Sequence, residues 1–84
     1  MTLRNQPMNI TVKFFASLRE QTGKSDATIN SSETLTVMQA WQQASELDDM
    51  PENTLCAINM EYVNTDATLS DGDELAFFPP VTGG

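Results

Sequence analysis

Apolar and polar residues alternate from residue 8 onward. Polar positions at Asn9, Thr11 and Lys13 separate four apolar ones: Met8, Ile10, Val12 and Phe14. Successive side chains of a strand point to opposite faces, so this pattern predicts a strand with one buried face. Phe15 follows on the polar side of the pattern, which places an aromatic ring on the outer face.

A short helix and a second strand are predicted next. ASLREQTG (16–23) has helical character and stops at Gly23, a residue that commonly ends helices. DATINS (26–31) alternates again and predicts the second strand.

The main helix is predicted within TLTVMQAWQQASEL (34–47). Thr36 and Gln39 have the spacing of a capping box, in which each side chain binds a free amide of the first turn. One apolar stripe follows at helical spacing: Val37, Ala40, Trp41, Ala44 and Leu47. We expect Trp41 in the core, and we expect Asp48, Asp49 and Pro51 to end the helix.

Three further strands complete the predicted fold. TLCAINM (54–60) predicts a buried strand, EYV (61–63) a short edge strand, and ELAFF (74–78) the last strand. Asp71-Gly72 predicts a tight turn before the last strand, and Pro79 ends it, since proline has no amide to donate. One main helix against a mixed sheet is an α+β pattern.

The length of 84 residues indicates one domain. We divide it into a polar lead-in (1–7), a folded domain (8–78) and an extended C-terminal tail (79–84). Pro79 and Pro80 favour an extended course, so the tail can reach roughly 20 Å.

Charge and composition exclude several classes of function. The net charge is −8, and all four basic residues lie within the first 24 positions. This argues against nucleic acid and anionic membranes and is compatible with a basic protein partner. One cysteine and no histidine leave no disulfide, no usual zinc site and no Cys–His or Ser–His nucleophile. We expect a cytoplasmic protein without a metal. Cys56, between Leu55 and Ala57, is interpreted as a small buried hydrophobe.

The terminal carboxylate of Gly84 is the remaining candidate for chemistry. It is ionised at neutral pH and a poor electrophile, so it must first be activated, for example as an acyl-adenylate formed from ATP. A thiol or persulfide could then displace AMP and leave a thiocarboxylate. This chain has no groups for those steps, so the tail would be a carried substrate.

DGDELAFFPPVTGG (71–84) and FFASLRE (14–20) give the chain a resemblance to the small, sulfur-carrying subunits of molybdopterin synthase, a ubiquitin-like sulfur-carrier family. The resemblance implies a β-grasp fold with a flexible Gly-Gly tail and no cofactor bound by this chain. It also implies that an activating enzyme, using ATP and Mg, adenylates Gly84 before thiocarboxylation. A large catalytic subunit, assembled with this chain as a heterotetramer, would receive the tail in a channel: Pro79, Pro80, Val81, Thr82 and Gly83.

The partner interface is expected to include Phe15, Arg19 and Phe78. If Leu75 and Phe77 join the core, Phe78 must face outward, as Phe15 does. Two outward aromatic rings on a small sheet suggest a partner surface, although loops or the short helix could also cover them. Other functions remain open: a sulfur carrier for thiamine, a ubiquitin-like protein modifier, or an interaction module of the same fold.

Overall fold

The computed structural model of the chain describes residues 8–80. Seven elements follow one another: β1 (Met8–Phe14), α1 (Ser17–Thr22), β2 (Asp26–Ser31), α2 (Val37–Ser45), β3 (Leu55–Ile58), β4 (Glu61–Val63) and β5 (Glu74–Phe78). The predicted lead-in, residues 1–7, lies outside the described residues.

The five strands form one mixed sheet in the order β2-β1-β5-β3-β4. β1 and β5 are parallel neighbours, whereas the other three pairs are antiparallel. The last strand is therefore inserted at the centre, between the first strand and β3. With α2 contributing to a core on one face, this is the predicted α+β architecture.

The core lies between the inner face of the sheet and α2. The alternation predicted for β1 is confirmed, since Ile10, Val12 and Phe14 are buried. Trp41 of α2 is also fully buried, as predicted, and its ring meets Phe14 and Phe77 edge to face at 5.7 and 5.0 Å between centroids. The indole Nε1 donates to the carbonyl of Asp49 at 3.0 Å, so its polar atom is satisfied inside the core.

α2 begins with the predicted capping box. The hydroxyl of Thr36 accepts from the amide of Gln39 at 3.2 Å, and the side-chain oxygen of Gln39 accepts from the amide of Thr36 at 2.9 Å. Two amides that lack a partner within the helix are thus satisfied at its start. Neither of the described helices is long and apolar enough to cross a bilayer.

α2 ends two residues earlier than predicted. The helix ends at Ser45, because Glu46 adopts a left-handed conformation with φ 65°. Lys24 stabilises this end, since its ammonium group donates to the Ala44 carbonyl at 2.7 Å and to the Glu46 carboxylate at 2.9 Å. The hydrogen bond from Lys24 lowers the pKa of the Glu46 carboxyl. Leu47, predicted on the buried stripe, has left the helix and is 40% exposed.

The buried strand predicted over 54–60 is also shorter than expected. β3 ends at Ile58, and Asn59 and Met60 form the turn into β4 with φ angles of 50° and 74°. Asn59 is held in this conformation by β5, because its side chain accepts from the Glu74 amide and donates to the Asp73 carboxylate, both at 2.9 Å. Met60 consequently projects from the turn and is 93% exposed.

A strained turn joins β1 to α1. Ala16 has φ 55° and ψ −130°, which matches the first central position of a type II′ turn. The Leu18 amide donates to the Phe15 carbonyl at 3.1 Å and closes the turn. Glycine adopts this conformation without steric cost, whereas a Cβ at this position is unfavourable.

Replacing Ala16 by glycine is therefore expected to stabilise the protein. Relief of the positive φ outweighs the added freedom of the unfolded chain, so Ala16→Gly should raise the free energy of unfolding by about 1 kcal/mol. Urea denaturation of both proteins measures the difference. Serine 17, which follows in a helical conformation, provides the control: Ser17→Gly should destabilise, and equal effects of the two changes would contradict the strain.

Candidate functional site

The C-terminal tail leaves the fold from a central strand. β5 is hydrogen-bonded to β1 on one side and to β3 on the other, and it ends at Phe78. Pro79 is half-buried and Pro80 is exposed. Because the strand is held on both sides, the tail starts from a fixed position. The other predicted tail residues lie outside the described residues: Val81, Thr82, Gly83 and Gly84.

Phe15 and Phe78 lie together on the outer face of the sheet. Their rings stack with centroids 4.8 Å apart and planes 4° from parallel. Phe15 is 40% exposed and Phe78 is half-buried. The predicted outward orientation of both rings is confirmed, and the parallel pairing of β1 with β5 brings them into contact at the base of the tail.

Two exposed residues that the sequence interpretation missed extend this surface. Tyr62 of β4 meets Phe78 edge to face at 6.3 Å and is 72% exposed. Met60 lies in the adjoining turn and had been assigned to a buried strand. Asn59 is the one sequence signal for this turn, because asparagine favours the left-handed conformation of hairpin turns. The signal is weak because no glycine follows Asn59.

These side chains surround a shallow depression of about 390 Å³ on the sheet. Ala57 and Ala76 face each other across β3 and β5 and form its floor. Three aromatic side chains form one part of its wall: Phe15, Tyr62 and Phe78. Met60 and Glu74 form the wall at the opposite end. We call this feature the aromatic depression. It is open because both helices place their buried residues in the core on the inner face.

Arg19 lies on α1 and is exposed. It does not line the aromatic depression. Its backbone amide donates to the Ala16 carbonyl at 3.0 Å, and its carbonyl accepts from Gly23 at 3.0 Å, which confirms that Gly23 ends the helix. A role for Arg19 at a partner surface stays a prediction.

Cys56 is buried on the inner face of the sheet. It is 3% exposed and pairs in register with Phe77 across β3 and β5. Burial raises the pKa of its thiol to about 11. Because the thiolate is the nucleophilic form of cysteine, this residue is poorly suited to carry sulfur at neutral pH.

Cys56→Ala should therefore retain the sulfur transfer that the resemblance implies. The small cavity left by the thiol is expected to lower the free energy of unfolding by roughly 1–2 kcal/mol. Chemical denaturation measures the stability, and transfer of labelled sulfur measures the activity. A folded Cys56→Ala protein without transfer would place the sulfur chemistry on this residue.

The same thiol predicts a loss of stability at alkaline pH. Burial raises its pKa from 9.0 to about 11, so the unfolded chain loses the thiol proton before the native protein does. The contribution of Cys56 to the free energy of unfolding consequently falls as the pH rises from about 9 to about 11. Denaturation at several pH values across this range gives the free energy of unfolding at each pH. This free energy should fall less steeply with pH for Cys56→Ala than for the native chain; identical slopes would argue against the raised pKa.

The acidic residues before β5 have structural partners. The Asp71 carboxylate accepts from the Asn9 amide at 2.8 Å, and the Asp73 carboxylate accepts from the Ser70 amide at 2.8 Å. These bonds close the predicted turn, in which Gly72 has φ 87°. Within residues 8–80, no three His, Cys, Asp or Glu side chains are grouped so as to hold a metal ion.

Comparison with known proteins assigns the chain to a family. Residues 12–84 match the family model described as ThiS family. The chain belongs to the ThiS family. The match covers β1 from Val12 onward, every later strand, both helices and the whole tail. The family model therefore includes the tail together with the folded domain.

Curated relatives within this family support the resemblance drawn from the tail. The chain is 42% identical over 81 residues to the molybdopterin synthase sulfur carrier subunit of Escherichia coli K12, covering 89% of this chain and 99% of that protein. The human protein of the same name is 30% identical over 82 residues, covering 89% and 93%. The sequence-based assignment to this family is confirmed.

Solved structures confirm the β-grasp fold. SAMP1 from Haloferax volcanii superposes with a TM-score of 0.72 at 27% identity, covering 90% of this chain and 99% of that one. A chain in the complex of subunits 1 and 2 of the molybdopterin-converting factor from Helicobacter pylori superposes with a TM-score of 0.60 at 23% identity, covering 92% and 100%.

Proposed function

We propose that this ThiS-family chain is the sulfur-carrier subunit of a molybdopterin synthase. The observation that carries the proposal is the 42% identity over 81 residues to the molybdopterin synthase sulfur carrier subunit of Escherichia coli K12. The relatives from Escherichia coli and human carry this function in their names. The tail starts from a strand that is hydrogen-bonded on both sides, which suits a segment that a partner must locate.

The proposed chemistry takes place at the Gly84 carboxylate. A carboxylate oxygen attacks the α-phosphate of ATP, which releases pyrophosphate and leaves an acyl-adenylate. A persulfide sulfur then displaces AMP to give an acyl disulfide. A second thiol cleaves its S–S bond, which releases the thiocarboxylate and leaves a disulfide. The thiocarboxylate sulfur displaces an oxygen substituent from a carbon of the pterin precursor. Hydrolysis of the resulting thioester returns the Gly84 carboxylate and leaves the sulfur on the pterin as a thiol. The chain contains no histidine, so we assign the acid–base steps to its partners.

We assign the docking of the large catalytic subunit to the aromatic depression. It lies beside the base of the tail and exposes the kind of aromatic residues that act as anchors at protein interfaces. A partner that covers this surface would hold the tail at a fixed distance from its own reactive groups. Heterotetramer formation with that subunit is part of the proposal.

The other partners follow from the chemistry. An adenylating enzyme uses the ATP and Mg that activation needs, and in the proposal this chain itself binds no cofactor. The net charge of −8 favours basic protein surfaces over nucleic acid or an anionic membrane. We place the protein in the cytoplasm, where free thiols persist.

A second candidate function is that of a ubiquitin-like modifier. The observation favouring it is the similarity to SAMP1, a small archaeal modifier protein, at 27% identity. In that case the activated Gly84 carboxyl would form an amide with a lysine of another protein instead of receiving sulfur. A sulfur carrier for thiamine would use the same activation and sulfur transfer at Gly84.

Mass spectrometry of the chain from its native cells separates these functions. Methionine oxidation adds nearly the same mass as exchanging oxygen for sulfur, so the increment must be located on a peptide. Cleavage before Asp73 releases residues 73–84, which contain no methionine. We expect the oxygen-to-sulfur increment on this peptide, and we expect it to disappear in cells without the activating enzyme.

Reconstitution then identifies the pathway. The thiocarboxylated chain, mixed with the large subunit and the pterin precursor, should yield the sulfur-containing pterin. Lysine adducts on other proteins with no sulfur increment would favour the modifier. A sulfur increment without pterin product would favour the thiamine pathway and overturn the proposal.

A further inference from the structure

We infer that the aromatic depression receives an arginine side chain of the large catalytic subunit. The inference rests on the proposed function for the identity of the partner. It is carried by the shape of the depression, by its one carboxylate and by the charge of the chain. It adds the chemistry of the partner's contact residue to the docking surface described above.

The shape of the depression fits a single long side chain. Ala57 and Ala76 are cross-strand neighbours with small side chains, and larger side chains surround them. Phe78 and Tyr62 bound one part of this space and Met60 bounds another. The volume of about 390 Å³ admits a side chain but not a partner helix.

One carboxylate lines this otherwise apolar space. Glu74 belongs to β5, and Asn59 holds its backbone: the Asn59 side chain accepts from the Glu74 amide at 2.9 Å, and the Asn59 amide donates to the Glu74 carbonyl at 2.8 Å. The Glu74 side chain is 49% exposed and lies 3.6 Å from the ammonium group of Lys13. That long, solvent-exposed pair leaves carboxylate oxygen sites for an incoming cation.

The combination of aromatic faces and a carboxylate favours arginine over other side chains. A guanidinium stacks on aromatic rings and binds a carboxylate through two donors, and it is more weakly hydrated than an ammonium group. Arginine is also enriched in protein interfaces, whereas lysine is depleted. The net charge of −8 adds a long-range attraction for a basic partner surface.

Removal of the carboxylate is the first test. Binding of the full-length chain to the large catalytic subunit is measured by calorimetry at low and high salt. Glu74→Gln should weaken binding about tenfold at low salt, with a smaller difference at high salt. Glu33→Gln removes the same charge from an exposed position in the segment after β2 and should bind within about twofold of the native chain.

Lys13 distinguishes partner binding from a purely internal role of Glu74. If Glu74 affects binding only through its ion pair with Lys13, removing either side chain of the pair should weaken binding to a similar extent. If Glu74 receives a partner's guanidinium, Lys13→Gln frees the carboxylate and should tighten binding, by a few-fold. Opposite signs for the two variants support the inference.

Filling the depression is the third test. Ala76→Leu places a branched side chain on the floor and should weaken binding by more than about 30-fold. Thr28→Leu adds a similar side chain to the exposed outer face of β2, away from the depression, and should leave binding nearly unchanged. Thermal unfolding of each variant verifies that it is folded.

Three results would overturn the inference. Native affinity of Ala76→Leu would show that no side chain enters. Equal effects of Glu74→Gln and Glu33→Gln on binding would show that the entering side chain is not cationic. Weaker binding by Lys13→Gln would show that Glu74 acts through its pair with Lys13 and not through a contact with the partner. Failure of the native chain to bind the large subunit is a different outcome, which would overturn the proposed function itself.

Discussion

Deletion of Gly84, or addition of one residue after it, should abolish sulfur transfer and leave the unfolding temperature nearly unchanged. Deletion shortens the tail by roughly 3.5 Å, and a displacement of this size at a reacting atom can cost more than about 100-fold in rate. The added residue instead converts the Gly84 carboxyl into a peptide bond. The described core ends at Phe77, so neither change removes a buried side chain.

Transfer of labelled sulfur from the activated chain to the pterin precursor measures this effect, and calorimetric unfolding measures stability. Binding to the large subunit is the control, since both variants keep Phe15, Phe78 and the aromatic depression. We expect both variants to bind with an affinity close to that of the native chain. Sulfur transfer by the extended variant would move the chemistry away from the terminal carboxylate.

Phe78→Ala should weaken binding to the large subunit far more than it lowers the free energy of unfolding. Truncation of an aromatic anchor at an interface commonly costs about 2 kcal/mol, roughly a 30-fold loss of affinity. The same change removes the stack with Phe15 at 4.8 Å, which contributes about 1 kcal/mol to stability. Calorimetric binding and urea denaturation of the same variant compare the two effects.

The neighbouring residue provides a matched control. Phe77 carries the same side chain one position earlier but is fully buried against Phe14 and Trp41. Phe77→Ala should cost about 3–5 kcal/mol of stability and should affect binding only through loss of folded protein. If Phe78→Ala instead unfolds the domain and spares binding, the tail alone makes the contact with the partner.

Local sequence patterns predicted most of the fold because the responsible interactions are short-range. The capping box depends on two residues three positions apart, and the strand β1 depends on alternation that the pleat of any strand requires. The same period placed Phe15 on the outer face. It also placed Phe78 there once Leu75 and Phe77 were assigned to the core, and the structure confirms both.

The errors lie at element ends, where distant residues decide the backbone conformation. Leu47 continued the helical stripe in sequence, but α2 ends at Ser45, where Lys24 from the segment before β2 binds the last turn. Met60 continued an apolar run, but Asn59 is held in a left-handed conformation by Asp73 and Glu74 of the last turn and strand. Both contacts join residues at least 14 positions apart.

The sequence alone determined the class of fold, the chemistry available to the terminal glycine and the outward direction of two aromatic rings. Only the tertiary structure decided that these rings stack, because β5 enters the sheet beside β1 and not beside its neighbour in sequence. It also brought Tyr62, Met60 and Glu74 around the paired alanines. A depression on a sheet depends on strand order and register, which long-range pairing sets and which no local pattern of residues encodes.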